Sequence, residues 1–409
     1  MSDARTEAPP VAAVSQRRGG ARKAFYYFHG CFLRRTDGCH VRTIQTLDML
    51  RASGLDIVVY SYANHDQWPW REEDKAAFAR LYPEVRLVLE QHDWRLTMAQ
   101  RARTLLSMMG RGLRRWALRT PIAGLSPELD ALRKQGPFDL AFINGAAGLP
   151  AINGVPGAQW CVDTQDLTSL EHFQRPPFGA LRLESLFELH KEMSLLAAAD
   201  LVWSISHAEY WVLNQLIDPT RVRLVPPTGA RGAAPARHPM DGEIDHDLVF
   251  VGSDNRWNAI ALIGFLNDFA KWRGQRTLGI AGSVCRNPDV IERVRTMPNV
   301  KLLGFVSDLD RFYQRARASI CPVAGTGTKI KLVEALLAGM PVFAPPASCV
   351  GLVPGFENSV FDLDEAHVEA LLSDPASYQK ALREAQTYAH HYAFDVVLEA
   401  ERADLVSPL

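Results

Sequence analysis

Short apolar runs alternate with amphipathic stretches along nearly the whole chain, and the alternation stops once and then restarts. Apolar runs bounded by polar or glycine turns are what strands buried on both faces look like, and the stretches between them supply the crossover helices. Strands are expected at Ala24–Phe28, Asp56–Tyr60, Asp139–Ile143, Gln159–Val162, Leu201–Ile205 and Arg223–Val225. Between the first two, Val41, Ile44, Leu47 and Leu50 mark a helix that stops at Gly54. The break is Pro226–Asp245, which holds four prolines and almost no periodicity. Strands resume at Leu248–Val251, Thr277–Ala281, Val300–Leu303, Ala318–Cys321 and Pro341–Ala344. The pattern predicts an α/β protein of two doubly wound domains, residues 23–230 and 246–380, joined by a linker over 231–245. Residues 1–22 read as a flexible tail, and 381–409 as a C-terminal helix that crosses back to the first domain. Ligands belong outside the carboxyl ends of the strands, in the cleft between the domains.

Composition narrows the function. With 47% hydrophobic and 22% charged residues, the chain is neither disordered nor fibrous. Its 45 basic and 46 acidic residues give no global field to attract nucleic acid, which is not an expected partner. Six cysteines without a Cys-x-x-Cys pair argue against a zinc ribbon or a disulfide framework, and a cytoplasmic setting is expected. No apolar stretch approaches the length of a bilayer span. One local bias stands out: Arg95–Arg119 has seven arginines, no acidic residue and many Leu and Met. It reads either as a surface for an anionic membrane or phosphate-bearing acceptor, with Arg111, Arg114 and Arg115 in contact, or as a scaffold helix packing its Met/Leu face inward.

The most informative segment is Ile320–Val342: a buried strand, a Gly/Thr loop, a helix of about four turns, a stop at Gly339 and a new strand. Gly325 and Gly327 let backbone approach a ligand, and amide donors at the following helix start suit a diphosphate. Thr326 and Thr328 can donate to oxygens. Lys329 puts a cation on the first turn, which is unfavourable for the helix alone and is explained by a bound anion. Glu334 is a carboxylate in an otherwise apolar helix, which either ends exposed or accepts from something specific such as ribose hydroxyls, whereas Lys331 reads as solvated.

This segment resembles the nucleotide-sugar signature of the GT-B glycosyltransferases, in particular retaining glycosyltransferase family 4. The resemblance extends to Leu248–Gly252 followed by Asn258, to Gly279–Gly282, to Asn299–Asp308 and to Gly351. In the first half, Gly38–Arg42 looks like a Gly-Gly-x-x-Arg variant, Asp163–Asp166 like an Asp-Thr-His-Asp variant, and Pro226–Gly229 like a Pro-x-Gly. Five positions depart from the family pattern: Thr326 stands for a frequent Glu, Ser253 and Asn258 for Arg and Lys, Gln165 for His, and Cys39 for Gly.

The resemblance implies a GT-B fold, two Rossmann-like domains facing a central cleft. It also implies a glycosyltransferase that moves a sugar, with retention, from a nucleotide-diphosphate sugar to a hydroxyl acceptor. The setting would be bacterial surface polysaccharide, lipopolysaccharide or glycoconjugate synthesis, with a saccharide or lipid-linked acceptor and possible attachment to the inner membrane face. Expected donor contacts are Gly252, Ser253, Arg256, Val306, Gly325, Thr326, Gly327, Thr328, Lys329 and Glu334. His29, Gly38 and Asp166 are expected at the catalytic cleft and Arg42 at the acceptor. No cofactor is expected beyond the donor co-substrate. Asp308 and Asp310 read as helix caps and no metal is called for, since helix dipoles and cations can neutralise the leaving group. A sugar-nucleotide epimerase or hydrolase, and a non-catalytic binding protein on the same fold, remain open alternatives.

Overall fold

In the computed structural model, which describes residues 22–155, 157–173, 182–231, 243–325 and 327–406, the strands gather into two separate parallel sheets. The first holds β1 (Lys23–Tyr27), β2 (Asp56–Tyr62), β3 (Arg86–Glu90), β4 (Phe138–Asn144), β5 (Gly157–Asp163), β6 (Leu201–Ser204) and β7 (Val222–Leu224). The second holds β8 (His246–Val251), β9 (Leu278–Ala281), β10 (Val300–Gly304), β11 (Ala316–Ile320), β12 (Val342–Phe343) and β13 (Val360–Phe361). The orders are β3-β2-β1-β4-β5-β6-β7 and β10-β9-β8-β11-β12-β13. Each order reverses beside its first strand, at β1/β4 and at β8/β11. A crevice therefore opens at the carboxyl ends of those pairs.

Burial explains why these segments are strands. Phe25 and Tyr27 face one hydrophobic layer while Ala24 and Tyr26 face the other, so β1 is apolar on both sides. The second sheet rests on a single cluster that includes Leu248, Phe250, Ile280, Leu332 and Phe343. Two strands were absent from the sequence reading. β3 is an edge strand with charged residues at both ends and half-buried alternation, and β13 spans only two residues. The helix after the Gly/Thr loop is also shorter than expected: Ile330–Leu337, about two turns, closed by Gly339 at φ 76°.

The C-terminal segment is two helices instead of one. Pro375–Ala389 places Ala381, Ala385, Tyr388 and Ala389 in the second domain's core. A short turn, His390–Tyr392, redirects the chain. Phe394–Val406 then packs Phe394, Val397 and Leu405 into the first domain's core, and Asp404 pairs with Arg223 at 2.6 Å. The connection between the domains runs through residues 226–245; of it, 232–242 lie outside the described residues, as does the tail over 1–21.

Candidate functional site

The donor-side wall starts at the loop after β11. Gly325 has φ 144°, and a Cβ there would lie 2.8 Å from the Lys329 ammonium, which folds back to donate to the Gly327 carbonyl at 2.6 Å. A Cβ on Gly327 would overlap the Asp166 carboxylate, which reaches across from the first domain. At Gly325 the positive φ calls for glycine, and at Gly327 a Cβ would displace the Asp166 carboxylate. Thr328 behaves otherwise than expected. Its buried hydroxyl contacts the carbonyls of Ile205 at 2.9 Å and Gly351 at 2.8 Å, so it ties the two domains and offers no donor to a diphosphate. Thr326 lies outside the described residues.

Next to this loop sits the turn after β8. Asn255 caps the Arg256–Phe269 helix, accepting from the Asn258 amide at 2.8 Å. The Asn258 side chain donates to Ser253, through its carbonyl at 3.0 Å and its hydroxyl at 3.1 Å. Gly252 lies under the Phe250 ring, where a Cβ would come within 2.7 Å. The Lys331 ammonium donates to the remaining Asn258 oxygen and lies 5.0 Å from the Phe250 ring centroid. Lys331 is therefore inside the β8/β11 crevice and not solvated, and burial lowers its pKa to about 8. One turn on, Glu334 is half-buried and accepts no hydrogen bond among the described residues. Burial raises its pKa to about 7 against the pull of Lys331 and of Arg35, which comes from the first domain. Arg256 is exposed on the first turn of its helix, Val306 is half-buried after β10, and the neighbouring Phe305 ring is 83% exposed. Lys331, Arg35 and Phe305 are the site members that the sequence reading passed over.

The opposite wall comes from the ends of β1, β4 and β5. Gly38 opens the Gly38–Ala52 helix, and a Cβ on it would sit 3.3 Å from the Ile330 side chain across the cleft. Gln165 takes a left-handed φ of 60° and donates to Thr43 at 3.1 Å and Asn144 at 3.2 Å, which leaves Asp166 exposed beside Gly327. His29 is wedged among Phe28, His65 and Trp68, with centroids 4.3, 4.8 and 5.2 Å away. Burial, with help from His65 and His40, lowers its pKa to about 3. An imidazole held there is neutral and only weakly basic at neutral pH.

Two arginines expected at the acceptor are structural. Arg42 is fully buried and grips Asp163 through Nη2 at 2.8 Å and Nε at 3.1 Å. Its remaining donors meet the carbonyls of Val225 at 2.8 Å and Pro226 at 2.9 Å, which fixes the start of the interdomain connection. Arg114 is half-buried and its Nε donates to the Ser107 carbonyl at 3.2 Å. Arg111 and Arg115 are exposed. The basic stretch itself is two helices, Trp94–Met108 and Arg111–Arg119, broken at Gly110 with φ 146°.

No curated protein matches the chain in sequence. Solved structures share its fold. Sucrose-phosphate synthase from Thermosynechococcus elongatus superposes with a TM-score of 0.64 at 17% identity, covering 93% of this chain and 97% of that one. Anabaena HepE in complex with UDP-glucose gives 0.63 at 15% identity, over 95% and 100%. WaaG, a glycosyltransferase involved in lipopolysaccharide biosynthesis, gives 0.61 at 14% identity, over 94% and 100%. The two sheets facing one cleft are thus the GT-B arrangement, and within it residues 245–377, the wall that carries Gly252, Lys331 and Glu334, match the Glycosyl transferases group 1 domain.

Proposed function

We propose that the chain is a glycosyltransferase that moves a sugar from a nucleotide-diphosphate sugar to a hydroxyl acceptor, with retention of configuration. The observation that carries this reading is the pair of half-buried charges in the β8/β11 crevice. Lys331 and Glu334 lie beside a glycine loop, and the Glu334 carboxylate has no hydrogen-bond partner among the described residues. A nucleoside diphosphate supplies both missing partners: phosphate oxygens for Lys331, Lys329 and the amides of the loop, and ribose hydroxyls for Glu334. Arg256 adds an exposed cation at the next helix start, and Phe305 and Val306 offer a surface for the base. HepE, on the same fold, was solved with UDP-glucose.

In this reading the donor diphosphate departs against Lys329, Lys331 and the start of the Ile330–Leu337 helix. Those groups act where negative charge grows, so they account for most of the rate enhancement. Two cations and a helix start make a divalent metal unnecessary. Asp166, Gly38 and the wall around His29 hold the acceptor across Gly327, and the acceptor's proton leaves with the departing phosphate. Synthesis of a surface polysaccharide or lipopolysaccharide is the proposed setting, in line with the part WaaG plays in lipopolysaccharide biosynthesis.

The test is thermal stability of the purified chain against a panel of nucleoside diphosphates. A ligand at 100 times its Kd adds about 2.7 kcal/mol. A shift with one nucleotide, lost in Glu334→Ala, supports the donor site and names the base. Transfer from the matching sugar nucleotide, with the product anomer read by NMR, then tests transfer and retention. Turnover without any acceptor would favour an epimerase or hydrolase. Binding without turnover would favour a binding protein, and no shift with any nucleotide would remove the donor site.

A further inference from the structure

We propose that Trp68 and His65, on the loop between β2 and the Glu72–Leu81 helix, are the platform for an uncharged pyranose ring of the acceptor. The sugar packs its C–H face on the exposed part of the two rings and accepts hydrogen bonds from them at its hydroxyls. Calling this sugar the acceptor rests on the glycosyltransferase reading; its binding does not. The His65 and Trp68 rings are nearly parallel, 8° apart with centroids at 5.2 Å. Both side chains are half-buried. Neither the Trp68 Nε1–H nor the His65 Nε2 has a hydrogen-bond partner among the described residues. Aromatic surface with a few convergent polar atoms left over is what a small-molecule site is built from.

The backbone fixes how these rings are presented. His65 Nδ1 accepts from the amides of Gln67 at 3.3 Å and Trp68 at 3.2 Å, which puts the imidazole proton on Nε2 as an outward donor. The Trp68 carbonyl accepts from the Cys31 amide at 2.8 Å and so ties this loop to the one after β1. Gly30 permits that contact, since a Cβ there would lie 2.8 Å from the same carbonyl and 3.3 Å from the His65 Cβ. From inside, the fully buried His40 ring meets the indole edge-on at 4.6 Å. Its Nδ1 lies 3.2 Å from the Thr36 hydroxyl, and its Nε2 has no hydrogen-bond partner among the described residues. A buried polar atom left without a partner costs stability, and what the fold gains here is a fixed Trp68. His40 is thus a positioning residue.

Charge and position select the ligand. Burial lowers the pKa of His29 to about 3 and of His40 to about 4, and it lowers that of His65 against the pull of Asp66, so all three imidazoles are neutral. Arg34, whose charge His40 feels, is already engaged by Asp74 at 3.2 Å and by the Pro69 carbonyl at 3.0 Å. Neutral N–H donors beside aromatic rings suit a polyol ring, which offers C–H groups on its face and oxygens at its rim. A phosphate is better served by Lys329 and Lys331 on the opposite wall. The platform stands at the carboxyl ends of β1 and β2, and His40 is two residues from Gly38, which faces Ile330 across the cleft. A sugar there lies on the first-domain side, opposite a donor held in the β8/β11 crevice.

The experiment is saturation-transfer difference NMR of the full chain with the methyl pyranosides of glucose, galactose, mannose and N-acetylglucosamine, with glycerol phosphate as the anionic control. Each is measured alone and with every nucleoside diphosphate of the thermal panel. Saturation of at least one pyranoside is expected, strongest at the C–H groups of one ring face, with none of glycerol phosphate. Trp68→Leu, which keeps apolar bulk under the loop but removes the ring, should weaken binding about tenfold, and Trp68→Phe should restore most of it. His65→Asn should weaken it about threefold to tenfold, because the amide oxygen still accepts from Gln67 and Trp68 while the Nε2–H is gone. The melting midpoint and any nucleotide-induced shift should survive in His65→Asn and Trp68→Phe. Saturation of no pyranoside, saturation of glycerol phosphate in their place, or binding unchanged in both Trp68→Leu and His65→Asn overturns the proposal. A nucleotide shift without sugar binding rejects the platform alone. Sugar binding lost in Trp68→Leu, with no nucleotide shift in the unaltered chain, keeps the platform and rejects the donor site.

Discussion

The two walls of the cleft bury charge in opposite ways. On the first-domain side, Arg42 and Asp163 are wholly enclosed and satisfied by each other and by the carbonyls of Val225 and Pro226. On the second-domain side, Lys331 has one amide oxygen and a ring face, and Glu334 has no hydrogen bond among the described residues. A buried ion with a full set of partners holds the fold together; a buried ion short of partners is a place for a ligand. This difference separates scaffold from site more reliably than residue type does, since both walls use the same charged chemistry.

The largest test removes the satisfied pair. Arg42→Ala strands a buried carboxylate and should cost about 3–5 kcal/mol of stability, measured by denaturant unfolding. Replacing both partners, Arg42→Met with Asp163→Leu, should cost clearly less, because no uncompensated charge remains. If the single variant folds normally and loses only acceptor turnover, Arg42 belongs to the site after all and the contrast collapses.

Lys331→Met probes the other wall and should behave in reverse. Nucleoside diphosphate affinity should fall about 30- to 100-fold, matching roughly 2–3 kcal/mol for a charge-assisted hydrogen bond. Stability without ligand should hold or rise, since a desolvated ammonium is gone. Calorimetric titration and unfolding on the same samples separate the two effects.

These two residues also mark where sequence reading stops. Gly325, Gly327 and Glu334 are legible because their oddity is local: glycines between a strand and a helix, and a carboxylate in an apolar helix. The meanings of Arg42, Thr328 and Lys331 are set by partners 121, 123 and 73 positions away. Arg42 reads as an acceptor contact until Asp163 closes on it, and Lys331 reads as solvated until Phe250 and Asn258 cover it. The strand alternation gave both sheets but not β3, whose charged ends resemble a loop, nor β13, too short to show a period. Arg103 shows the same limit in the basic stretch: it is buried and Met98 exposed, and nothing local says that it, and not Met98, turns inward.

Glu401 is the case that strains the comparison. It is a residue of the Phe394–Val406 helix, 7% exposed, with Oε2 unpartnered among the described residues. Burial, then Asp404, raises its pKa to about 7. A carboxyl whose folded pKa lies above its unfolded value holds its proton better when folded. Stability is thus greatest below the ordinary carboxylate range and declines as pH rises from about 4.5 to about 7. Glu401→Gln should add about 1–2 kcal/mol at pH 8 and almost nothing at pH 4. A gain equal at both pH values would mean that folding does not raise the pKa of this carboxyl.

The smallest effect is the most direct reading of the under-satisfied wall. If Glu334 must be ionised to accept from ribose and Lys331 must be charged to hold phosphate, donor kcat/KM should peak between about pH 7 and about pH 8. It should fall about tenfold per pH unit beyond either limb. The diphosphate of a sugar nucleotide does not titrate in this range, so both limbs belong to the protein. Glu334→Gln should flatten the acid limb, because an amide oxygen still accepts from a hydroxyl but carries no proton to lose. Lys331→Arg should carry the alkaline limb beyond the measurable range, since a guanidinium stays charged. A limb that stays put when its residue is replaced belongs to another titrating group, and the charge of that residue is then not what the donor requires.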